Sequence, residues 1–235
     1  MIAVDNSKDA QEQDAGGSSQ LVLSYMGLRK VIGYIGVGLP FVLPIGWWLL
    51  PETHPSWPGS MSGYYWTSIG NVFVGTLCAI GVFLFSYCGY DRRDKIAGRL
   101  ACVFAVGVAM FPVCPDANYT PVQKTVGWVH LTCASLLFAT LAYFSLCLFT
   151  LSDPAKPMTI QKQRRNRVYR LCGWTIAASL VLVFICEVLV FRDNAPFSTS
   201  PLRSVFPVFI LEGVMVLAFG ISWLTKGEAI LADGE

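Results

Sequence analysis

Four polar residues stand inside long apolar stretches of this sequence, where charged and amide side chains are uncommon. They are Asn71, His130, Glu187 and Glu212. In the hydrocarbon interior of a membrane an ionised side chain costs about 2.5–3.5 kcal/mol, so such residues usually pair or serve a function. Glu212 is the most costly of the four, because it is the deepest in its apolar run and its side chain is short. Each residue is therefore a candidate for ligand binding, proton transfer or catalysis.

A metal centre is the sharpest catalytic use of these residues. His130 and Glu212, with Cys114 or Asp116, offer the nitrogen, oxygen and sulfur atoms that zinc accepts. The chain has only two histidines, however, and neither an HxxxH nor an HExxH spacing. We therefore expect no metal and no other cofactor, and we keep His130 with Glu212 as the alternative metal site.

A serine hydrolase is the second catalytic alternative. Ser62 or Ser135 would need His130 as its base, but no GxSxG turn marks either serine as a nucleophile. The catalytic residues stay unknown, and the sequence favours a protein that is not an enzyme.

The elements that carry these residues are six apolar segments. With 54% hydrophobic and 14% charged residues, the chain is much less charged than a soluble domain, which averages about 25%. A hydrocarbon core of about 30 Å requires around 20 helical residues, whose backbone satisfies its own hydrogen bonds. The predicted helices span about 31–50, 66–89, 97–113, 126–151, 171–191 and 205–225. The predicted fold class is all-α, a polytopic bundle of six transmembrane helices.

The loops between these helices give the bundle an orientation. If the N-terminus is cytoplasmic, 14 of the 17 Lys and Arg residues lie inside and three lie outside, as the positive-inside rule requires. We therefore predict a multi-pass protein of a cell inner membrane with both termini in the cytoplasm. Residues 1–25 are predicted to be a disordered cytoplasmic tail, 26–226 the transmembrane domain and 227–235 a second cytoplasmic tail.

In this orientation the four polar residues all fall in the outer half of the bilayer, below the outer loop that carries Asp116. We expect a polar pocket that opens outward. Its candidate residues are Asn71, Asp116, His130, Glu187 and Glu212. In the alternative interpretation, Glu187 reaches the interface, while Asn71 and His130 only form hydrogen bonds between helices.

Basic residues on the cytoplasmic side are predicted to set the topology and to contact lipid headgroups. The residues expected to do so are Arg92, Arg93, Arg164, Arg165 and Arg167. A specific site for an anionic lipid or a partner is the alternative. Membrane lipids are the expected partners, and nucleic acid is not, because no basic recognition motif is present. Gly213 and Gly220 share one helix face, which indicates close packing inside the bundle, with a homodimer or an unidentified membrane partner as the alternative.

Two runs of the sequence resemble segments of bacterial six-helix integral membrane proteins of unknown function. They are Val72–Leu84, which continues to Gly89-Tyr90-Asp91, and the C-terminal run Gly220–Glu228. The resemblance covers nearly the whole chain after residue 25, although those proteins tend to carry an acid at the position of Asn71. It implies the six-helix architecture and no activity.

Three functions are compatible with these observations. The first is a membrane protein whose outward-facing pocket binds a lipid or small molecule, or moves it. The second is a membrane-embedded hydrolase or transferase that acts on lipids. The third is a non-catalytic membrane subunit of a larger complex.

Overall fold

A computed structural model of the protein describes most of the chain, with side chains described from Tyr25 onward. The described residues are 5–50, 57–87, 89, 91–115, 118–152, 157–187 and 207–232. These residues form six α-helices, one 3-10 helix and one π-helical turn, and no strand occurs among them. The elements are α1 (Asp5–Leu49), the 3-10 helix (Ser62–Trp66), α2 (Gly70–Ser86), α3 (Arg92–Met110), α4 (Pro121–Tyr143), the π turn (Phe144–Leu148), α5 (Ile160–Cys186) and α6 (Pro207–Lys226). The all-α prediction is confirmed.

Four of the helices are long and apolar enough to cross a membrane. They are Tyr25–Leu49 within α1, Pro121–Leu148, Ile160–Cys186 and Pro207–Lys226. Only 28% of the most apolar window of α5 is buried against other parts of the chain. So large an apolar surface is unfavourable in water and is typical of helices that face lipid. The helix α2 is apolar but has 17 residues, and α3 begins with charged residues, so both differ from the other four.

The helices pack in a closed ring in which each contacts the next and α6 returns to α1. Along the α1–α6 contact, an atom added at Gly33 would meet Leu224, and one added at Gly36 would meet Phe219 and Gly220. Because residue numbers rise along α1 as they fall along α6, the two helices are antiparallel.

Two further neighbouring pairs have the same relation. His130 of α4 contacts the end of α3 at Phe111, and Lys162 at the start of α5 contacts Phe149 at the end of the π turn. The ring therefore has two ends. We call the end with the 3-10 helix the cap end, and the end where α2 stops and α3 starts the charged end.

The start of α5 differs from the predicted boundary. The basic run 162–170, predicted to lie in a loop, forms the first turns of α5. Thr159 caps this helix by accepting a hydrogen bond from the Lys162 backbone N–H, and Lys, Arg and Gln are good helix formers. The helix α1 begins at Asp5. The disorder predicted for residues 1–25 stays a prediction.

Candidate functional site

Glu212, the strongest sequence candidate, binds the backbone of the segment that covers the cap end. Its carboxylate accepts a hydrogen bond of 2.6 Å from the Met61 backbone N–H, and the Ser62 N–H also hydrogen-bonds to it. These N–H groups begin the 3-10 helix, whose own N-cap residue provides no side-chain acceptor. Glu212 thus supplies from α6 the acceptor that a Ser or Asp N-cap normally provides.

The segment 57–69, here called the cap segment, is also held by aromatic side chains. The Trp57 ring packs against Trp47 of α1 at 4.8 Å between centroids and against Phe209 of α6 at 6.3 Å. Trp66 donates its indole N–H to the Val113 carbonyl at 3.0 Å. Tyr64 is fully buried below, and burial raises the pKa of its phenol. The cap segment is therefore joined to three separate parts of the ring.

His130 has a different set of partners. Its ring is buried, and its Nδ1 lies 2.6 Å from the Phe111 carbonyl oxygen, with the Val108 carbonyl also within hydrogen-bonding reach. These carbonyls lie at the C-terminal end of α3, where backbone oxygens lack intrahelical donors. A neutral imidazole with its proton on Nδ1 satisfies them. His130 thus joins α4 to α3, as the interpretation of interhelical hydrogen bonding predicts.

Of the remaining predicted pocket residues, one lies near Glu212 and another is exposed. Glu187, at the end of α5, interacts electrostatically with Glu212, so these two acids share one neighbourhood. The side chain of Asn71 is exposed on α2. Asp116 lies outside the described residues. Within the described part of the chain, no group of three or more His, Cys, Asp or Glu side chains is placed to hold a metal ion.

The charged end contains a cluster of aromatic rings that the sequence did not predict. Trp223 of α6 lies 5.0 Å from Tyr87, 5.2 Å from Phe149 and 5.7 Å from Phe144, and Phe149 lies 5.4 Å from Tyr169. Phe144 and Phe149 begin and follow the π turn, and π turns often mark functional sites. A 2.8 Å hydrogen bond between Ser145 and Ser222 fixes this turn to α6. The rings form the apolar floor of the charged end.

Six charged side chains lie beside this floor, three of them buried and three partly buried. We call this group the charged cluster; it consists of Arg29, Asp94, Lys162, Arg165, Lys226 and Glu228. Asp94 is 1% exposed, and Arg165 and Lys226 are each 8% exposed. Arg165 binds Glu228 at 3.0 Å, and Lys162 donates to the Phe149 carbonyl at 2.9 Å. The Lys226 Nζ lies 5.3 Å from the Phe149 ring centroid, a cation–π distance.

One signal in the sequence indicates this cluster. Gly213 and Gly220 mark the packing face of α6, and Trp223 and Lys226 continue that face at helical spacing. Lys226 instead resembles an interfacial lysine when it is considered alone, because it ends an apolar run. The position of Lys226 on the packing face of α6 predicts its burial, whereas its residue type does not.

The five arginines predicted to contact lipid headgroups differ in burial: four are exposed and one is buried. Arg92, Arg93, Arg164 and Arg167 are exposed, so contact with lipid headgroups stays a prediction for them. Arg165 instead points into the charged cluster, where Glu228 binds it. Its position on α5 places it on the inner face, one residue away from the exposed Arg164.

No protein-family model, no curated protein and no solved structure matches this chain. The resemblance to bacterial six-helix proteins stays a prediction. The function must therefore be argued from the two ends of the ring.

Removal of the Glu212 carboxylate should free the cap segment. In Glu212→Ala we expect the amide hydrogens of Met61 and Ser62 to exchange with solvent about 10- to 100-fold faster, because a hydrogen bond to a charged group is worth about 1.5–3 kcal/mol. Hydrogen exchange of the purified protein with fragment-level mass spectrometry measures this. Glu228→Ala is the matched control, since it removes an acid from the opposite end. Equal exchange of the cap segment in both variants would contradict the assigned role of Glu212.

Proposed function

We propose that this chain is an inner-membrane protein that crosses the bilayer six times, with both termini in the cytoplasm. Contacts of α2 and α3 at both ends of the ring support six crossings. Tyr87, which follows α2, packs against Trp223 near the end of α6, and Phe111, which follows α3, contacts His130 near the start of α4. At 1.5 Å per residue the 17 residues of α2 are about 26 Å long, close to the thickness of a thin bilayer core. Arg99 of α3 is exposed and can extend its charge to the headgroups. The distribution of Lys and Arg supports the orientation.

Reporter fusions test this topology directly. We expect a phosphatase that is active only outside the cytoplasm to work when it is fused after residues 60, 118 and 200. We expect a fluorescent protein that folds only in the cytoplasm to be bright after residues 90, 155 and 235. If α2 and α3 did not cross, fusions after 60, 90 and 118 would all report the same side, and the proposal of six crossings would be wrong.

We further propose that the protein binds a lipid or small molecule on its outer side, beneath the cap segment. The observation that carries this proposal is the Glu212 carboxylate, placed on a membrane helix and bound to a loop. Ser60 already accepts a hydrogen bond from the Gly63 N–H within the cap segment, so local side chains can satisfy backbone donors there. An acid on α6 is a costly substitute, and ionisable groups at membrane depth usually serve binding or transport.

This arrangement makes the cap segment a reversible cover. Glu212 can release the two N–H groups and accept hydrogen bonds from a bound molecule instead, while Trp57 keeps one side of the segment attached to α1 and α6. Glu187 adds a second negative charge nearby, which favours a ligand with a hydrogen-bond donor or a positive charge. The hydrolase and subunit alternatives stay predictions, and no arrangement of described residues favours either.

Native mass spectrometry of the gently extracted protein tests this binding. We expect wild-type protein to retain a bound small molecule or lipid, and Glu212→Gln to lose at least about 90% of it, because the amide keeps the shape but not the charge. Glu228→Gln should retain the molecule. A thermal unfolding midpoint of Glu212→Gln near the wild-type value shows that the fold is intact. The same bound mass in both variants, or none in wild type, would sink the proposal.

A further inference from the structure

The charged cluster carries more positive than negative charge. Lys226 has three cations, Arg29, Lys162 and Arg165, within electrostatic range, against one carboxylate, that of Asp94. Glu228 adds a second carboxylate and binds Arg165. Four basic side chains thus meet two acidic ones, so bases outnumber acids among the described residues of this cluster.

Gathering these basic side chains beside an apolar floor costs free energy. Like charges repel strongly in a low-dielectric surrounding, and the aromatic rings below exclude water from one side of the cluster. The cations are brought together by three different helices, α1, α5 and α6, so no short loop forces them into proximity. A site that gathers cations in this way is typical of the binding of an anion.

The open side of the cluster lies at Arg29 and Lys162. Both side chains are only partly buried, in contrast to Lys226. The Nε atom of Arg29 is buried and has no hydrogen-bond partner in the described structure, while its guanidinium lies 5.6 Å from the Tyr87 ring centroid. Arg29 therefore has one donor that no described group satisfies, and the Tyr87 ring lies beside its guanidinium.

We propose that the charged cluster binds a phosphate group that carries two negative charges. A phosphomonoester has a charge of about −1.5 to −2 at pH 7 and three acceptor oxygens, which suits a cluster where bases outnumber acids and several N–H donors meet. The planar Arg29 guanidinium suits phosphate oxygens, and Lys162 and Lys226 act as point charges. The group is either the headgroup of a lipid with a terminal phosphate or free phosphate from the cytoplasm.

This site is independent of the proposed outer site. Glu212 and Lys226 are 14 residues apart on α6, or about 21 Å along the helix. Loss of binding at one end therefore leaves the other end intact, and the two proposals fail separately.

Binding to full-length protein in nanodiscs tests the proposal. The lipid probes are phosphatidic acid, phosphatidylglycerol and phosphatidylcholine, and inorganic phosphate is the soluble probe. We expect phosphatidic acid to be retained at least about 10-fold more than phosphatidylglycerol, because only the former has a terminal phosphate. Competition by millimolar inorganic phosphate would assign the site to free phosphate, and its absence would assign it to the lipid.

Two variants separate a built site from general surface charge. Arg29→Gln and Lys162→Gln should each weaken binding about 10-fold or more, because each removes a charge-assisted contact. Arg170→Gln, an exposed residue on α5, should leave binding unchanged. Equal retention of phosphatidylglycerol and phosphatidic acid, an equal loss in Arg170→Gln, or no binding of any probe by folded protein would overturn the proposal.

Discussion

Backbone contact between α1 and α6 is the constraint on which the rest of the structure depends. A Cβ atom at Gly220 would lie 2.6 Å from the Val37 backbone nitrogen and 2.8 Å from the Gly33 carbonyl oxygen, so no side chain fits there. Small residues permit such close approach in membranes, where packing and hydrogen bonds, and not water exclusion, hold helices together. This contact closes the ring. It also fixes the rotation of α6, the helix that carries both Glu212 and Lys226.

The rotation of α6 explains how one helix contributes to two different ends. Near its start Glu212 meets the cap segment, and near its finish Trp223 and Lys226 meet the aromatic floor. The π turn of α4 completes the charged end, because its extra residue per turn brings both Phe144 and Phe149 against Trp223. The ends are chemically opposite: acids lie at the cap end, and cations predominate at the charged end.

The sequence predicted the all-α class, but it did not predict the neighbours of individual side chains, for a physical reason. Apolar length alone identified the helical segments, and the two glycines of α6 indicated its packing face, because both signals are local. Which face of a helix meets which neighbour depends on the whole ring. For that reason Asn71, expected in a pocket, is exposed, and Arg165, expected at headgroups, is buried with Glu228. Depth in the membrane, which Asn71, His130 and Glu212 were predicted to share, does not determine contact.

Cross-linking of α1 to α6 tests the central contact most directly. A Cβ atom built at Gly213 lies 3.8 Å from the Cβ of Pro40, which equals the mean separation in disulfides. In a background without the native cysteines, the double variant Pro40→Cys/Gly213→Cys should form an intramolecular disulfide in membranes under mild oxidation. After the chain is cleaved between α1 and α6, we expect the two fragments to run together on a non-reducing gel, because the disulfide joins them. Reduction should separate them. Failure to cross-link, or cross-links only between two copies, would contradict the closed ring.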